Sequence, residues 1–209
     1  MTVSKPEYSI SQSQHSTFLL TTLTLPHTPP SEVLAKLTDP AAFFPLNPNF
    51  SPEGHNPTRL SASEAEAHRG GKSDGLEREG ELWEAHETKA FEILGMEYNV
   101  LTRCVMGKVA IEIEGLHANT TRMGIEVDWE CEAAVGKTSM RSVIFVEECM
   151  EEADQGGLRR LGSRIEEKFE VLKAPWGMTG TVLKRSSKER VTALERLVRL
   201  LDNREASMS

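Results

Sequence analysis

From residue 122 to 132 the chain alternates. Met123, Ile125, Val127, Trp129 and Cys131 take one parity, and Gly124, Glu126, Asp128 and Glu130 take the other. A period of two sends the two sets to opposite faces of a β-strand. "KVAIEIEG" repeats the pattern with Val109, Ile111 and Ile113, and the polar "GLHANTTR" between the two stretches predicts a hairpin connection. "ELWEAHETKAFEIL", "EYNVLTRCVM", "SMRSVIFVEECM" and "SRIEEKFEVLK" extend the series, with turns predicted at Gly95, Gly107, Gly136 and "DQGG". Consecutive hairpins of this kind make an antiparallel meander with one apolar and one wet face. The acids Glu112, Glu114, Glu126, Asp128 and Glu130 are expected on the wet one.

A different period governs the two ends. "STFLLTTLTL" (16 to 25) reads as a first strand, which Pro29 and Pro30 stop. Ser31 is a candidate N-cap, Glu32 suits a first turn, and Val33, Leu34 and Leu37 form a helical face. Asp39 and Pro40 start a second short helix carrying Phe43 and Phe44, ended by Pro45 and Pro48. From Ser51 to Gly80 large apolar residues are sparse, which predicts a weak edge strand near Thr58 to Ala62 and a long loop through "HRGGKSDG". At the far end Val191, Leu194, Leu197, Val198 and Leu201 recur at helical spacing, with Glu195, Arg196 and Arg199 opposite. That stripe needs a surface to cover, as the apolar face of the meander needs a cover, so the two are expected to pack together. Residues 1–15 and 204–209 are expected to be tails around one domain spanning 16–203.

Composition narrows the function classes. Of 209 residues, 38% are hydrophobic and 27% charged, ordinary for a globular domain, and the formal net charge is -8. Such a surface repels nucleic acid and anionic membranes unless a basic patch overrides it. Lys184, Arg185, Lys188 and Arg190 are the one candidate patch, read here as the solvated face of a helix. Cys104, Cys131 and Cys149 form no CxxC pair and no zinc spacing, so free thiols in a reducing compartment are expected. No apolar run reaches the roughly 20 residues of a membrane span, and the N-terminus lacks the apolar core of a secretory signal. The expected address is cytoplasmic, with no stable membrane insertion. No GxSxG, HExxH, P-loop or GxGxxG occurs, and neither a cofactor nor a metal is expected.

Three stretches carry a resemblance: "VLAKLTDPAAFFPLNPN" after the first strand, "GELWEAHETKAF" opening the meander, and "APWGMTGTVLKRSSKERVTALERLVRLL" at the end. Strand, two short helices, antiparallel meander and long C-terminal helix, from Thr17 to Leu201, resembles the START-like helix-grip superfamily, which includes Bet v 1-type proteins and aromatic polyketide cyclases. The resemblance to uncharacterised fungal members is the nearest. It implies an α+β fold in which a curved sheet of six or seven strands wraps the long helix around an apolar cavity. It further implies an apolar small-molecule ligand.

On that expectation "KAPWGMTGTVL" opens the helix beside the cavity mouth, with Gly177 and Gly180 permitting close approach and Trp176 and Met178 as walls. The competing reading lets Gly177 end a strand and Trp176 fill core. Phe43, Phe44, Trp129, Phe145, Phe169 and Val182 are candidate lining. Asn47 either caps the second short helix or meets a polar ligand group. Glu84 and His86, two apart on one strand, share a face and could act as an acid/base pair if that face looks inward; the competing reading leaves both in solvent. Tyr98 and Arg103, on the next strand and of opposite parity unless a bulge intervenes, are candidates to orient a carbonyl or enolate; the competing reading makes each an ordinary cross-strand residue. Two functions fit: a cofactor-free cyclase or isomerase acting on a polyketide- or terpenoid-like molecule, and a carrier of a lipid, sterol or metabolite.

Overall fold

The computed structural model describes the backbone of residues 9–11, 18–48, 50, 57–70, 72, 74–93, 96–113, 120–133, 136–151 and 160–207, and their side chains except at 9–11, 88–93, 96–99, 113, 120, 149–151, 160, 161 and 203–207. The strands are β1 (Ser9–Ser11), β2 (Phe18–Leu25), β3 (Thr58–Arg59), β4 (Glu77–Ile93), β5 (Met96–Ile113), β6 (Thr120–Ala133), β7 (Gly136–Glu151) and β8 (Arg160–Lys173). They form one antiparallel sheet in the order β1-β2-β8-β7-β6-β5-β4-β3. The helices are α1 (Pro30–Leu37), α2 (Pro40–Phe43) with a 3-10 turn at Phe44–Leu46, α3 (Ala62–Arg69) and the long α4 (Thr179–Ser207). β1 falls within the stretch expected to be a loose tail and pairs with β2.

The chain has the expected α+β helix-grip arrangement. Leu19 and Leu23 at one end of the sheet and Ala85 and Cys104 near the other share a single core with Leu183, Leu194, Leu197 and Leu201 of α4. For residues so far apart in the sheet to meet one helix, the sheet must curve around it. The short helices close the same core with Val33, Leu37, Phe43 and Phe44. Pro30 stands at the first position of α1, so Pro29 rather than Ser31 precedes it, while Asp39 caps α2 by accepting from the Ala41 N–H at 3.0 Å.

Two expectations about the meander fail together. Gly107 does not turn the chain: β5 runs through it for 18 residues and unites "EYNVLTRCVM" with "KVAIEIEG". It is a glycine because Leu82, its partner on β4, lies over it, where a Cβ would collide with the leucine's Cδ2. With no turn there, alternation continues unbroken from Cys104 and Met106, which face α4. Val109 therefore pairs with Gly124 on the outer face, and Lys108 pairs with Ile125 on the inner one. A bulge between Glu79 and Leu82 adjusts β4 to the same geometry.

The outer face is also not simply wet. The expected loop after Thr58 contains α3, whose capping box joins Ser61 and Glu64 reciprocally, and Ala65 packs on Leu60, Leu82 and Val105 of the outer face. Behind α3 two of the acids expected in solvent, Glu126 and Asp128, are enclosed, whereas Glu112 and Glu130 are exposed as expected and Glu114 lies outside the described residues. Lys72 Nζ lies 2.5 Å from Asp128 and 3.1 Å from Glu126, His68 Nε2 lies 2.8 Å from Asp128, Arg78 reaches Glu126, and Arg141 reaches both acids. Burial alone would raise the Asp128 carboxyl, but hydrogen bonds from His68 and Lys72 outweigh it and hold the group well below the usual carboxylate range. A depressed folded value contributes stability above the unfolded value near 4, which is lost as pH falls toward the folded one. Asp128→Ala is therefore expected to cost about 2 kcal/mol at neutral pH and to flatten the acid-side loss of stability below about pH 4, measured by urea unfolding from pH 7 to 2. An unchanged acid profile would show that this cluster does not carry the acid sensitivity.

Candidate functional site

At the corner where α1 and α2 approach β4 to β6, a cavity of about 310 Å³ is walled by Trp83, Met106 and Ile125, with Thr38 just after α1, Pro40 of α2 and the charged Glu81 and Lys108 also in its lining. The size lies at the lower end for small-molecule sites, which run about 300–1,000 Å³. Trp83 and Met106 share the inward parity of Ala85 and Cys104. Lys108 reaches this side because β5 runs straight through Gly107.

Deeper between sheet and helix lies a polar centre that periodicity alone did not reveal. The buried stripe of α4 is Leu183, Ser186, Arg190, Leu194, Leu197 and Leu201, at intervals of three and four. Arg190, grouped with exposed cations in the sequence, belongs to this stripe and is 7% exposed. Its Nη1 donates to Glu167 of β8 at 3.0 Å, and Ser142 of β7 donates its hydroxyl to the same carboxylate oxygen. The guanidinium carbon sits 4.8 Å from the Phe169 ring centroid and 5.4 Å from that of Trp129. Phe50 adds a ring 5.8 Å from Trp129. A cation and an anion removed from water together avoid the cost of either alone, and aromatic faces stabilise the cation further.

This centre carries unmet donors. Among the described residues the Arg190 Nε–H and the Trp129 Nε1–H are buried without a hydrogen-bond partner. The apolar row from Ile125 through Ile144 leads from the cavity wall to Glu167, two strand spacings or about 10 Å away. Glu167, on the inner parity of β8 between Ile165 and Phe169, was hidden in the sequence by "IEEKFE", where it reads as one of several surface acids. The signal available was its parity: it shares a face with Ile165, Phe169 and Val171.

The residues singled out from sequence are distributed differently. Glu84, His86 and Arg103 are together, but on the outer face. Glu84 pairs in register with Val105, which packs beneath α3, and His86 pairs with Arg103. Arg103 Nε donates to Glu84 at 2.8 Å and His86 Nε2 lies 3.3 Å from it. Burial would raise the Glu84 carboxyl, but the hydrogen bonds from Arg103 and His86 lower it overall. With the sheet between them and the helix, these three cannot act on a molecule held inside. Tyr98 pairs with Phe91 along the backbone, and its side chain lies outside the described residues.

Phe43, Phe44, Trp129 and Phe169 are buried core, and Val182 packs against it. Asn47 is buried and ends the 3-10 turn, its N–H donating to Phe44 O at 3.2 Å. Phe145 has outward parity: it lies under Arg122, whose guanidinium carbon is 5.1 Å from the ring, and lines an outer groove of about 510 Å³. Trp176 is fully exposed and walls nothing. Gly177 has φ 76°, the left-handed turn that a glycine supplies between β8 and α4, and among the described residues nothing lies within 4 Å of where a Cβ would stand on it or on Gly180. The turn, rather than a close approach, explains Gly177. Met178 closes it, donating its N–H to Pro175 O at 3.0 Å.

Cys104 and Cys131 are free thiols, and burial pushes both up. Among the described residues no group of three or more His, Cys, Asp or Glu is placed to hold a metal ion, and no helix is long and apolar enough to cross a membrane.

No family model matches the chain. No curated protein matches it either. Among solved structures it is similar to an uncharacterised protein from Rhizobium leguminosarum, with 14% identity over 94% of this chain and 99% of that one and a TM-score of 0.37. The architecture above therefore rests on strand order and core composition.

Proposed function

We propose that this chain is a START-like helix-grip protein that binds an apolar small molecule, lipid-, terpenoid- or polyketide-like, against the inner face of its sheet beside α1 and α2 and carries it unchanged. The observation behind this reading is the inner cavity of about 310 Å³ walled by Trp83, Met106 and Ile125. A sheet curved around a helix, open at one corner onto apolar side chains, suits a ligand whose transfer from water drives binding. Carriage is favoured over cyclisation or isomerisation because Glu84, His86 and Arg103 stand on the far side of the sheet. Proton transfer needs its group within hydrogen-bond reach of the reacting atom.

The neutral fluorophore N-phenyl-1-naphthylamine tests this. The protein should bind it saturably with enhanced emission, and Thr38→Trp, which fills the cavity from its rim, should weaken binding about tenfold or more with the melting temperature little changed. Absence of saturable binding, or equal binding by Thr38→Trp, would remove the cavity from the function.

A further inference from the structure

The buried centre on α4 has chemistry of its own. The Arg190 and Glu167 charges cancel at a 3.0 Å contact, and the bonded Glu167 oxygen already serves two donors, Arg190 and Ser142. Buried and without a partner among the described residues are two N–H groups, on Arg190 Nε and Trp129 Nε1, in residues only 7% and 3% exposed. Both border the same junction, since the guanidinium carbon is 5.4 Å from the Trp129 ring centroid. Native interiors leave few polar groups unpaired, because each one forfeits its hydration without return. Two donors left over beside a neutralised pair call for an acceptor that brings no charge.

We propose that Arg190 and Trp129 form the polar end of the ligand site and receive an uncharged acceptor oxygen, a ketone, ester or hydroxyl, carried on an apolar body. The inference rests on the binding reading above and specifies its ligand. A carboxylate is disfavoured because it would compete with Glu167 for the same cation inside a low-dielectric core. A hydrocarbon leaves both donors unmet. Phe169, Trp129 and Phe50 supply flat apolar faces beside the oxygen's position, which suits an aromatic or unsaturated body. Ile125 of the cavity wall pairs with Ile144, and Ile144 with Glu167, which places this position and the cavity on one face of the sheet about two strand spacings apart.

Three matched probes separate the possibilities: 4-phenylbutan-2-one, its hydrocarbon analogue butylbenzene, and the anion 3-phenylpropanoate. Affinities are measured by calorimetry on the full chain. The indole N–H resonances of Trp83, Trp129 and Trp176 are followed by ¹⁵N NMR and assigned with single Trp→Phe variants.

The ketone is expected to bind about tenfold tighter than butylbenzene, the gain from roughly one to two hydrogen bonds, and to shift the Trp129 indole proton. The anion is expected to bind weakest. Trp129→Phe, which removes one donor and no charge, should erase much of the ketone's advantage while leaving butylbenzene affinity within about twofold. Arg190→Met with Glu167→Leu, which removes the centre as a unit, should erase the rest.

Equal affinity for ketone and hydrocarbon would overturn this inference and leave the binding reading standing. So would an unmoved Trp129 resonance that exchanges magnetisation with a long-lived bound water, since a water alone would then satisfy the donors. Failure of all three probes together with N-phenyl-1-naphthylamine would overturn both.

Discussion

Glu167→Ala is expected to destabilise the fold by about 3–5 kcal/mol and to lower the melting temperature by on the order of 10 °C. The change strands the Arg190 guanidinium in an apolar core and takes the acceptor from Ser142. The faces of Trp129 and Phe169 would retain some hold on the cation, worth about 0.5–2 kcal/mol, too little to replace a counter-charge. Replacing both partners, Glu167→Leu with Arg190→Met, is expected to cost less than about 1 kcal/mol or to stabilise, because neither residue then leaves a charge behind. Urea unfolding of the three proteins decides it. A single-variant loss below about 1 kcal/mol would mean that Arg190 finds water once Glu167 is gone, and that the N-terminal half of α4 is not pinned to β8 by this pair.

Gly124→Ala carries the next largest expected effect, about 3 kcal/mol, the upper end of the cost of overpacking. Gly124 lies within β6 at a point where a Cβ would meet the carbonyl oxygen of Ile144 on β7, with the Phe145 ring also close. A backbone carbonyl inside a sheet cannot rotate aside, so the strands must part. Gly107→Ala offers the contrast: its added methyl meets the tip of Leu82, which can turn, and a cost of about 1 kcal/mol is expected. Differential scanning calorimetry of the two variants tests the distinction. Equal losses would show that the neighbour's rigidity does not set the penalty.

Much of the architecture was legible in the chain. Alternation in residues 122 to 132 marked β6 and its inward set Ile125, Val127 and Trp129, and the proline pairs bounded α1 and α2. The stripe Leu194, Leu197 and Leu201 announced that α4 would lie on the sheet. α3 was also written in the sequence, as Ser61 followed by Glu64 at capping-box spacing, although scarce apolar residues made the segment read as loop. Its single buried residue, Ala65, is too small to produce a hydrophobic stripe.

The candidate site was far less legible. Local period assigns residues to faces only while the register runs on undisturbed, and it does not say which face meets the helix. Glu84, His86 and Arg103 fell outward for that reason. Glycine by itself is equally ambiguous: Gly177 does turn the chain, whereas Gly107 makes room for Leu82 in the middle of a strand.

Local spacing, then, set most of the strands, the short helices before the meander and the need of one long helix for an apolar sheet, because those follow from a few neighbouring residues. Tertiary structure decided what became of the charges. Arg190 is buried because Glu167, on a different element, lies 3.0 Å from it in the folded chain, and Asp128 is enclosed because His68 and Lys72 arrive from a segment 60 and 56 residues away. A charge enters a protein interior only when its partner arrives with it, and no local pattern records which distant residue that will be.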